Sequence, residues 1–324
     1  MKAITHSQYG SPDVLRVNEV EKPVPKEDEI LIRVFAAEAT KSDCELRGFN
    51  FSVKWFWLPL RIARGITKPR RPILGGYFSG EVVTCGEAVT QFKPGDSVYG
   101  SAGLKMGAYG EYVALPERYP LVAKPQNMSH EESAAVPLGG LNALHFMRLA
   151  NIRSGESVLI NGAGGSIGLY AVQIAKSMGA IVTGVDSSIK ENLLRQMGVD
   201  HYIDYSKEKF TDNGRKYDVI FDMVPHNSYT ASIATLNPGG RYLSGNPRFS
   251  VMLRSAFTTR FTDKVARIAF ARETKEELVD LAHMIEAGVL KSIVGKVYPM
   301  EEVAEAHRAV ESEQRLGALV IRIE

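Results

Sequence analysis

The chain has 324 residues, of which 44% are apolar and 23% charged, the balance of a globular protein of about two domains. The formal net charge of +2 gives no whole-chain attraction for nucleic acid or for an anionic membrane. Two cysteines, Cys44 and Cys85, exclude a disulfide framework and a four-cysteine zinc site, and they fit a reducing compartment. We find no apolar leader and no membrane-length apolar run, so we expect a cytoplasmic protein with neither a membrane nor a nucleic-acid partner.

The first 122 residues contain many short segments of alternating or β-branched residues, separated by turns rich in Gly and Pro. The predicted strands are residues 15–20, 29–39, 80–85, 97–100 and 110–115. Strands at this spacing are typical of a barrel or sandwich, so we predict a β-rich N-terminal domain.

Helices enter the pattern near residue 129, where Ser129 and Glu132 form a capping box. Predicted strands at 157–161, 181–186, 219–222 and 240–244 then alternate with helices, two of which end at Gly179 and Gly198. This alternation predicts a parallel, doubly wound sheet. Two more helices, 274–287 and 300–313, and a strand at 318–323 close the chain, and that strand could rejoin the first domain.

A glycine-rich turn between a strand and a helix is the strongest functional signal, in residues 158–168, which read VLINGAGGSIG. Glycines let the backbone approach a pyrophosphate, and the following helix offers N–H groups and a partial positive charge. Asp186 ends the next strand, 18 residues after Gly168, close to the spacing of a ribose-binding carboxylate. The pattern predicts a dinucleotide site, and the alternative is a tight turn without a ligand.

Several segments in chain order carry a family resemblance. They are residues 22–25 (KPVP), 40–48 (TKSDCELRG), 75–86 (GGYFSGEVVTCG), 92–98 (FKPGDSV), 134–144 (AAVPLGGLNAL), the glycine turn and 198–205 (GVDHYIDY). Over essentially its whole length the chain resembles the zinc-free quinone oxidoreductase branch of the medium-chain dehydrogenase/reductase superfamily. The resemblance implies an α/β protein and a homodimer, with a GroES-like catalytic domain (1–122 and 271–324) interrupted by a Rossmann domain (123–270).

Zinc ligands are missing at the positions where the resemblance places them. Zinc-dependent relatives have Cys where this chain has Thr40, and a His-Glu pair where it has Gly76 and Tyr77. We therefore expect no zinc. The hydroxyls of Thr40 and Tyr77 are candidate catalytic donors to the acceptor oxygen, and structural hydroxyls lining a pocket are the alternative.

The expected cofactor is NADP, with NAD as the alternative. Asp186 favours NAD because its carboxylate can accept from both ribose hydroxyls and repels a 2′-phosphate. Lys190, Ser187 and Tyr205 can instead donate to that phosphate, and the resemblance favours NADP. The residues assigned to the cofactor are Asn142, Gly162, Gly164, Gly165, Ser166, Ile167, Gly168, Asp186, Ser187, Lys190 and Tyr205.

These observations predict an NAD(P)H-dependent oxidoreductase that reduces a small-molecule quinone or α,β-unsaturated carbonyl. An alcohol or aldehyde dehydrogenase-like reductase and a dinucleotide-binding protein with little turnover are the alternatives. Residues 49–71 hold five aromatic side chains, including both tryptophans. They could form flat walls for a quinone or pack as a helix on the barrel, and both interpretations stay open.

Overall fold

The computed structural model describes residues 1–51, 57–224, 227–245 and 248–324. Within these residues, chain contacts define two compact units. The first comprises Met1–Phe51, residues 57–138 and Glu273–Glu324, and the second comprises residues 139–272. The domain limits inferred from the sequence, 1–122 with 271–324 and 123–270, remain a prediction.

Strands and helices are numbered along the chain. The strands are β1 (Lys2–Thr5), β2 (Arg16–Glu19), β3 (Glu29–Ala39), β4 (Tyr77–Cys85), β5 (Ser97–Ser101), β6 (Tyr112–Pro116), β7 (Leu121–Ala123), β8 (Ser157–Asn161), β9 (Ile181–Asp186), β10 (His201–Asp204), β11 (Tyr217–Asp222), β12 (Leu236–Ser244), β13 (Val265–Ile268), β14 (Val294–Pro299) and β15 (Ala318–Arg322). The helices are α1 (Lys41–Gly48), α2 (Trp57–Arg64), α3 (His130–Ala134), α4 (Pro137–Ala150), α5 (Ser166–Ser177), α6 (Glu191–Gln196), α7 (Tyr229–Ala234), α8 (Phe249–Phe261), α9 (Lys275–Glu286) and α10 (Val303–Glu311).

The first unit is GroES-like and is built on a mostly antiparallel sheet. Among the described residues this sheet has the order β14-β15-β3-β4-β5-β7, with β6 also beside β3. The last strand of the chain pairs antiparallel with β3, so that Leu319 lies opposite Ala39. Strands β3 and β4 are antiparallel neighbours, with Ala37 opposite Phe78. Thr40, directly after β3, and Tyr77, the first residue of β4, therefore lie at the same edge of the sheet.

The second unit is Rossmann-like. Among the described residues, its sheet has the order β10-β9-β8-β11-β12-β13, and all neighbouring strands are parallel. The strand order reverses beside β8, where chain connections leave to opposite sides. In such sheets ligands bind at the carboxyl ends of the strands next to this reversal. The glycine turn follows β8 directly and therefore lies at that position.

Some predicted elements differ from the structure at their ends. The Ser129–Glu132 capping box is present, since the Ser129 hydroxyl accepts from the Glu132 N–H at 3.1 Å. The predicted helix 300–313 is a 3₁₀ turn followed by α10, Val303–Glu311. Five strands were not predicted, β1, β7, β10, β13 and β14. All but β14 have only three or four residues, a length at which an alternation of apolar and polar residues is hard to recognise.

Candidate functional site

The glycine turn gives the second unit a backbone surface without side chains. Gly162 has a φ of +86°, a left-handed conformation that glycine adopts without strain. A Cβ at Gly168 would lie 2.3 Å from the carbonyl oxygen of Gly162, so α5 packs against the turn only with glycine at 168. Gly165 differs, because its backbone is extended and a Cβ there would have one non-neighbouring described atom within 4 Å, the Gly162 oxygen at 3.4 Å, which is an ordinary contact distance. The space beside Gly165 is open.

Helix α5 begins at this open space. Its N-cap is Gly165, which has no side chain to cap the first turn, Ser166, Ile167 and Gly168. The first N–H groups of a helix have no carbonyl partner inside the helix, and they carry a partial positive charge. A phosphate placed beside Gly165 is therefore stabilised by this helix end.

Asp186 and Lys190 form a buried ion pair across the turn. The Asp186 Oδ2 accepts from the Gly164 N–H at 2.8 Å, and its Oδ1 lies 3.2 Å from the Lys190 Nζ. Both side chains are 8% exposed. A Cβ at Gly164 would lie 2.3 Å from the Lys190 Cδ, so glycine leaves the room in which the lysine chain lies. The pair joins the glycine turn, the end of β9 and the start of α6 into one charge-balanced cluster.

Two further predicted residues lie at the same edge. The Ser187 N–H donates to the Asp186 Oδ1 at 2.8 Å, and the Tyr205 N–H donates to the Asp186 carbonyl at 3.3 Å. The ring of Tyr205 is 61% exposed. Tyr202, which was not predicted, donates its hydroxyl to the same carbonyl at 3.0 Å. Burial raises the pKa of Tyr202 to about 12, which keeps this donor protonated.

Asn142 lies on α4, a helix that packs against the start of α5. A Cβ at Gly139, three residues earlier, would lie 2.5 Å from the Ser166 carbonyl oxygen. Asn142 is half-buried and lies about one helical turn after this close approach. Its contact with the cofactor stays a prediction.

Asp222 is a buried acid at this site, and it was not among the residues predicted from the sequence. It ends β11, and its carboxylate accepts from the amide of Asn161 at 2.9 Å and from the Tyr242 hydroxyl at 3.0 Å. Burial raises the pKa of Asp222, while the hydrogen bonds from Asn227 and others oppose that rise. The bond to Asn161 ties together the carboxyl ends of β8 and β11. The available signal was the apolar strand 219–222 ending in an acid, as 181–186 does.

In the first unit, Thr40 caps a helix. Its hydroxyl accepts from the Asp43 N–H at 3.1 Å and donates to the Asp43 carboxylate, which also accepts from the Thr40 N–H. The other oxygen of Asp43 accepts from the Gly75 N–H at 3.0 Å. The Thr40 hydroxyl is therefore held at the N-terminus of α1, and Asp43 links this helix end to the turn before β4.

Tyr77 donates its hydroxyl to a second carboxylate. The acceptor is Glu273 at 2.7 Å, whose other oxygen accepts from the Ser101 hydroxyl at 2.9 Å. Burial, and next the charge of Glu273, raises the pKa of Tyr77 well above its usual value. Thr40 and Tyr77 share one edge of the sheet, yet each hydroxyl is held by a different carboxylate. Glu273 was not predicted because it lies 196 residues after Tyr77.

A buried polar network continues from Asp43 to α10. The Arg47 guanidinium donates to the His307 Nδ1 at 3.0 Å, so the ring carries its proton on Nε2, 3.2 Å from the Tyr109 hydroxyl. Tyr109 in turn hydrogen bonds to Asp43. Burial lowers the pKa of His307 to about 3, and the Arg47 charge adds to the effect. Cys44 is buried here, 3.4 Å from the His307 Nδ1.

Aromatic residues of segment 49–71 pack with one another. The ring of Phe49 lies 5.1 Å from that of Phe51 and 5.8 Å from that of Trp57, and the Arg61 guanidinium stacks 4.4 Å from the Phe49 centroid. These contacts favour the packing interpretation for the described part of the segment. Trp55 and Phe56 lie outside the described residues.

The described residues contain no group of three or more His, Cys, Asp or Glu side chains arranged to hold a metal ion. In the same part of the chain, none of the helices has the length and apolar character needed to cross a bilayer.

Comparisons with known proteins agree with this architecture. The family model "Alcohol dehydrogenase GroES-like domain" matches residues 26–126, and the model "Zinc-binding dehydrogenase" matches residues 197–321. A quinone oxidoreductase of Homo sapiens is 26% identical over 327 residues, which cover 96% of this chain and 94% of the relative. An Arabidopsis thaliana protein, "NADPH-dependent alkenal/one oxidoreductase, chloroplastic", is 30% identical over 335 residues, 99% of this chain and 79% of the relative. The solved quinone oxidoreductase of Coxiella burnetii superposes with a TM-score of 0.88 at 26% identity, covering 100% of this chain and 99% of that one.

Proposed function

Because this chain belongs to the quinone oxidoreductase branch of the medium-chain dehydrogenase/reductase superfamily, we propose that it transfers a hydride from a nicotinamide cofactor to a quinone or an α,β-unsaturated carbonyl. The names of the Homo sapiens and Arabidopsis thaliana relatives support these substrate classes. One structural observation carries the proposal, the open space beside Gly165 at the N-terminus of α5.

The residues present fit a dinucleotide. A Cβ at Gly165 would fill the open space that a pyrophosphate needs, and the first turn of α5 faces it with N–H groups. The Asn161–Asp222 bond ties the carboxyl end of β8, directly before the glycine turn, to the carboxyl end of β11. When bound, the nicotinamide supplies the hydride, and the protein binds and orients it and excludes water.

The proposed cofactor is NADP, with measurable use of NAD. Asp186 alone would repel a 2′-phosphate, but Lys190 lies 3.2 Å from it and offsets its charge. Lys190 itself, with the hydroxyls of Ser187 and Tyr205, would hold the phosphate. The name of the Arabidopsis thaliana relative, an NADPH-dependent enzyme, supports the same choice.

Hydride addition leaves negative charge on the quinone or carbonyl oxygen, which needs a hydrogen-bond donor. We propose Tyr77 as that donor, because its raised pKa keeps it protonated throughout the neutral range. Glu273 accepts this hydrogen bond and orients the hydroxyl before substrate binds, and the substrate oxygen then replaces Glu273 as the acceptor. Thr40 stays a proposed second donor, although its hydroxyl caps α1 through Asp43.

The proposed activity needs no zinc, because Thr40 and Gly76-Tyr77 stand where the resemblance places zinc ligands. Chelators should leave turnover unchanged and elemental analysis should find no stoichiometric zinc, whereas about one zinc per chain would contradict this. On the same resemblance we propose a cytoplasmic homodimer, to be checked by light scattering and by imaging in cells.

Turnover measurements with NADPH and NADH on a panel of quinones, enals and aldehydes test the proposed function. We expect quinones or enals to be reduced faster than saturated aldehydes. Faster reduction of aldehydes would support the alcohol or aldehyde dehydrogenase-like alternative. Cofactor binding without turnover on the whole panel would support the dinucleotide-binding alternative.

A further inference from the structure

Arg64, the last residue of α2, has a buried nitrogen without a partner. Its Nη2 lies beneath the surface, and no hydrogen-bond acceptor is within reach of it in the described part of the chain. Neighbouring arginines differ, because the Arg61 guanidinium stacks 4.1 Å from the centroid of the Tyr9 ring. Arg71 donates to a backbone carbonyl at 3.0 Å. Since a guanidinium keeps its charge in proteins and can only donate, the buried Nη2 calls for an acceptor that the folded chain does not supply.

The turn after α2 fixes the backbone from which this side chain extends. The Tyr9 hydroxyl donates to the Gly65 carbonyl at 2.9 Å and lies 3.2 Å from the Arg64 carbonyl. The Arg70 N–H donates to the same Arg64 carbonyl at 2.8 Å. Gly65 has a φ of +119°, and a Cβ there would lie 2.0 Å from the Lys68 carbonyl oxygen, so the chain turns back tightly. The Arg64 guanidinium is therefore held on a fixed base.

The segment around Arg64 is basic. Residues 46–80 contain seven Lys or Arg and no Asp or Glu, although the whole chain has 39 basic and 37 acidic residues. Burial, and next the charge of Arg71, lowers the pKa of Arg64, whereas the charges of Tyr9 and Asp43 oppose the fall. The oxygens of Asp43 already accept from the Thr40 hydroxyl and from a backbone N–H. An acid that accepts from the buried nitrogen must therefore come from a ligand.

Asp43 relates Arg64 to the proposed donor Tyr77. Burial raises the pKa of Tyr77, and the charges of Glu273 and Asp43 add to the effect. The Asp43 carboxylate accepts from the Gly75 N–H at 3.0 Å, two residues before Tyr77. Because the charge of this same carboxylate acts on Arg64, the guanidinium and the Tyr77 hydroxyl both lie within electrostatic reach of one buried acid of the first unit.

We propose that Arg64 binds an acidic group, a carboxylate or a phosphate, of the acceptor substrate whose oxygen meets Tyr77. The substrate class is then an acidic quinone or an acidic α,β-unsaturated carbonyl compound. A planar guanidinium forms charge-assisted hydrogen bonds with both anions, and either one gives the buried Nη2 its acceptor. The inference rests on the proposed function and specifies the substrate class of the same site.

Matched enones test the proposal. The substrates are benzalacetone with a carboxylate, a phosphate or a methyl ester at the para position of the ring, each reduced with NADPH. We expect the wild type to have a higher kcat/KM for an acidic enone than for the ester. Arg64→Gln should lower the acid-to-ester ratio of kcat/KM by about 10- to 100-fold, because a charge-assisted hydrogen bond is lost. The acid that shows the larger loss, carboxylate or phosphate, identifies the anion.

Arg70→Gln is the matched control, because it removes the charge of an exposed arginine in the same turn. Its acid-to-ester ratio should stay within about twofold of the wild-type ratio. Thermal unfolding checks that both variants are folded. Since the Arg64 Nη2 has no acceptor in the described chain, Arg64→Gln should not lower the melting temperature.

Calorimetric titration with the saturated ketone products separates this proposal from the proposed function. If none of the enones is reduced, the proposed function fails, and tighter binding of an acidic product to the wild type than to Arg64→Gln still supports the acidic-group site. Equal kcat/KM and equal Kd for acid and ester in the wild type overturn the proposal. An unchanged acid-to-ester ratio in Arg64→Gln, or an equal loss in Arg64→Gln and Arg70→Gln, overturns it as well.

Discussion

Lys190→Met removes the cation that offsets the buried charge of Asp186 and keeps most of the side-chain volume. The Lys190 Nζ lies 3.2 Å from the Asp186 Oδ1, and each side chain is 8% exposed. At an effective dielectric constant of roughly 20, unit charges at this separation attract by about 5 kcal/mol. Breaking a buried pair by removing one partner costs about 3–5 kcal/mol. Because the N–H groups of Gly164 and Ser187 still bond to Asp186, we expect the variant to lose about 3 kcal/mol of unfolding free energy.

Thermal unfolding measures this loss. About 3 kcal/mol should lower the melting temperature by roughly 6–12 °C for a domain of this size. Adding Asp186→Asn should restore most of the stability, since no charge is then buried alone. Arg195→Met is the matched control, because the Glu191–Arg195 pair has the same sequence spacing but is 39% and 54% exposed. Its expected cost is about 0.5 kcal/mol or less.

The same variants test the cofactor site. Lys190→Met should lower kcat/KM for NADPH relative to NADH by about tenfold or more, because a pair interaction of at least about 1.4 kcal/mol is lost. Asp186→Ala should shift the ratio in the opposite direction. If Lys190→Met melts within about 2 °C of the wild type and neither variant changes the ratio, the pair is neither structural nor part of the cofactor site, and the reasoning is refuted.

Three further predictions concern single residues. Gly165→Val should abolish dinucleotide binding in a calorimetric titration while the protein stays folded, because the valine side chain enters open space. Gly168→Ala should instead lower the melting temperature, because its Cβ would lie 2.3 Å from a carbonyl oxygen. Tyr77→Phe should lower kcat by about 10²-fold with little change in melting temperature, and an unchanged kcat would remove Tyr77 as the donor. The pKa of His307 is about 3 in the folded protein and 6.5 in the unfolded chain. Between these values the unfolded chain binds a proton that the folded protein does not, so the free energy of unfolding decreases as the pH is lowered from 6.5 towards 3. At pH 5 the wild type should have lost about 2 kcal/mol of unfolding free energy to this proton, and His307→Gln should not show that loss in urea unfolding. An identical pH dependence of the unfolding free energy in both proteins would contradict this.

The parts of the site that could be predicted from the sequence are those formed by residues close together in the chain. The glycine turn, the strand before it and the acid at the end of β9 all lie within residues 158–186, so local periodicity and glycine spacing suffice to place them. The fold class could likewise be predicted, because alternating strands and helices admit few topologies. The confirmed parallel order of the second sheet follows from that alternation.

The missed residues depend on contacts between distant segments. Glu273 reaches Tyr77 across 196 residues, and His307 reaches Cys44 across 263, distances over which no spacing rule applies. Helix α8 escaped prediction for a different reason. Its large apolar residues repeat at helical spacing, a pattern that normally predicts a buried face, but in the structure these residues are exposed.

Deuterium transfer tests the central claim most directly. The wild-type protein is incubated with an α,β-unsaturated ketone and NADPH that carries deuterium on the transferred position of the nicotinamide C4, and the product is analysed by mass spectrometry and NMR. Direct hydride transfer predicts one deuterium on the β-carbon of the saturated ketone, and none when Gly165→Val replaces the wild type. Consumption of NADPH with no deuterium in the product, or an equal yield from Gly165→Val, would contradict the proposed function and the site assigned to it.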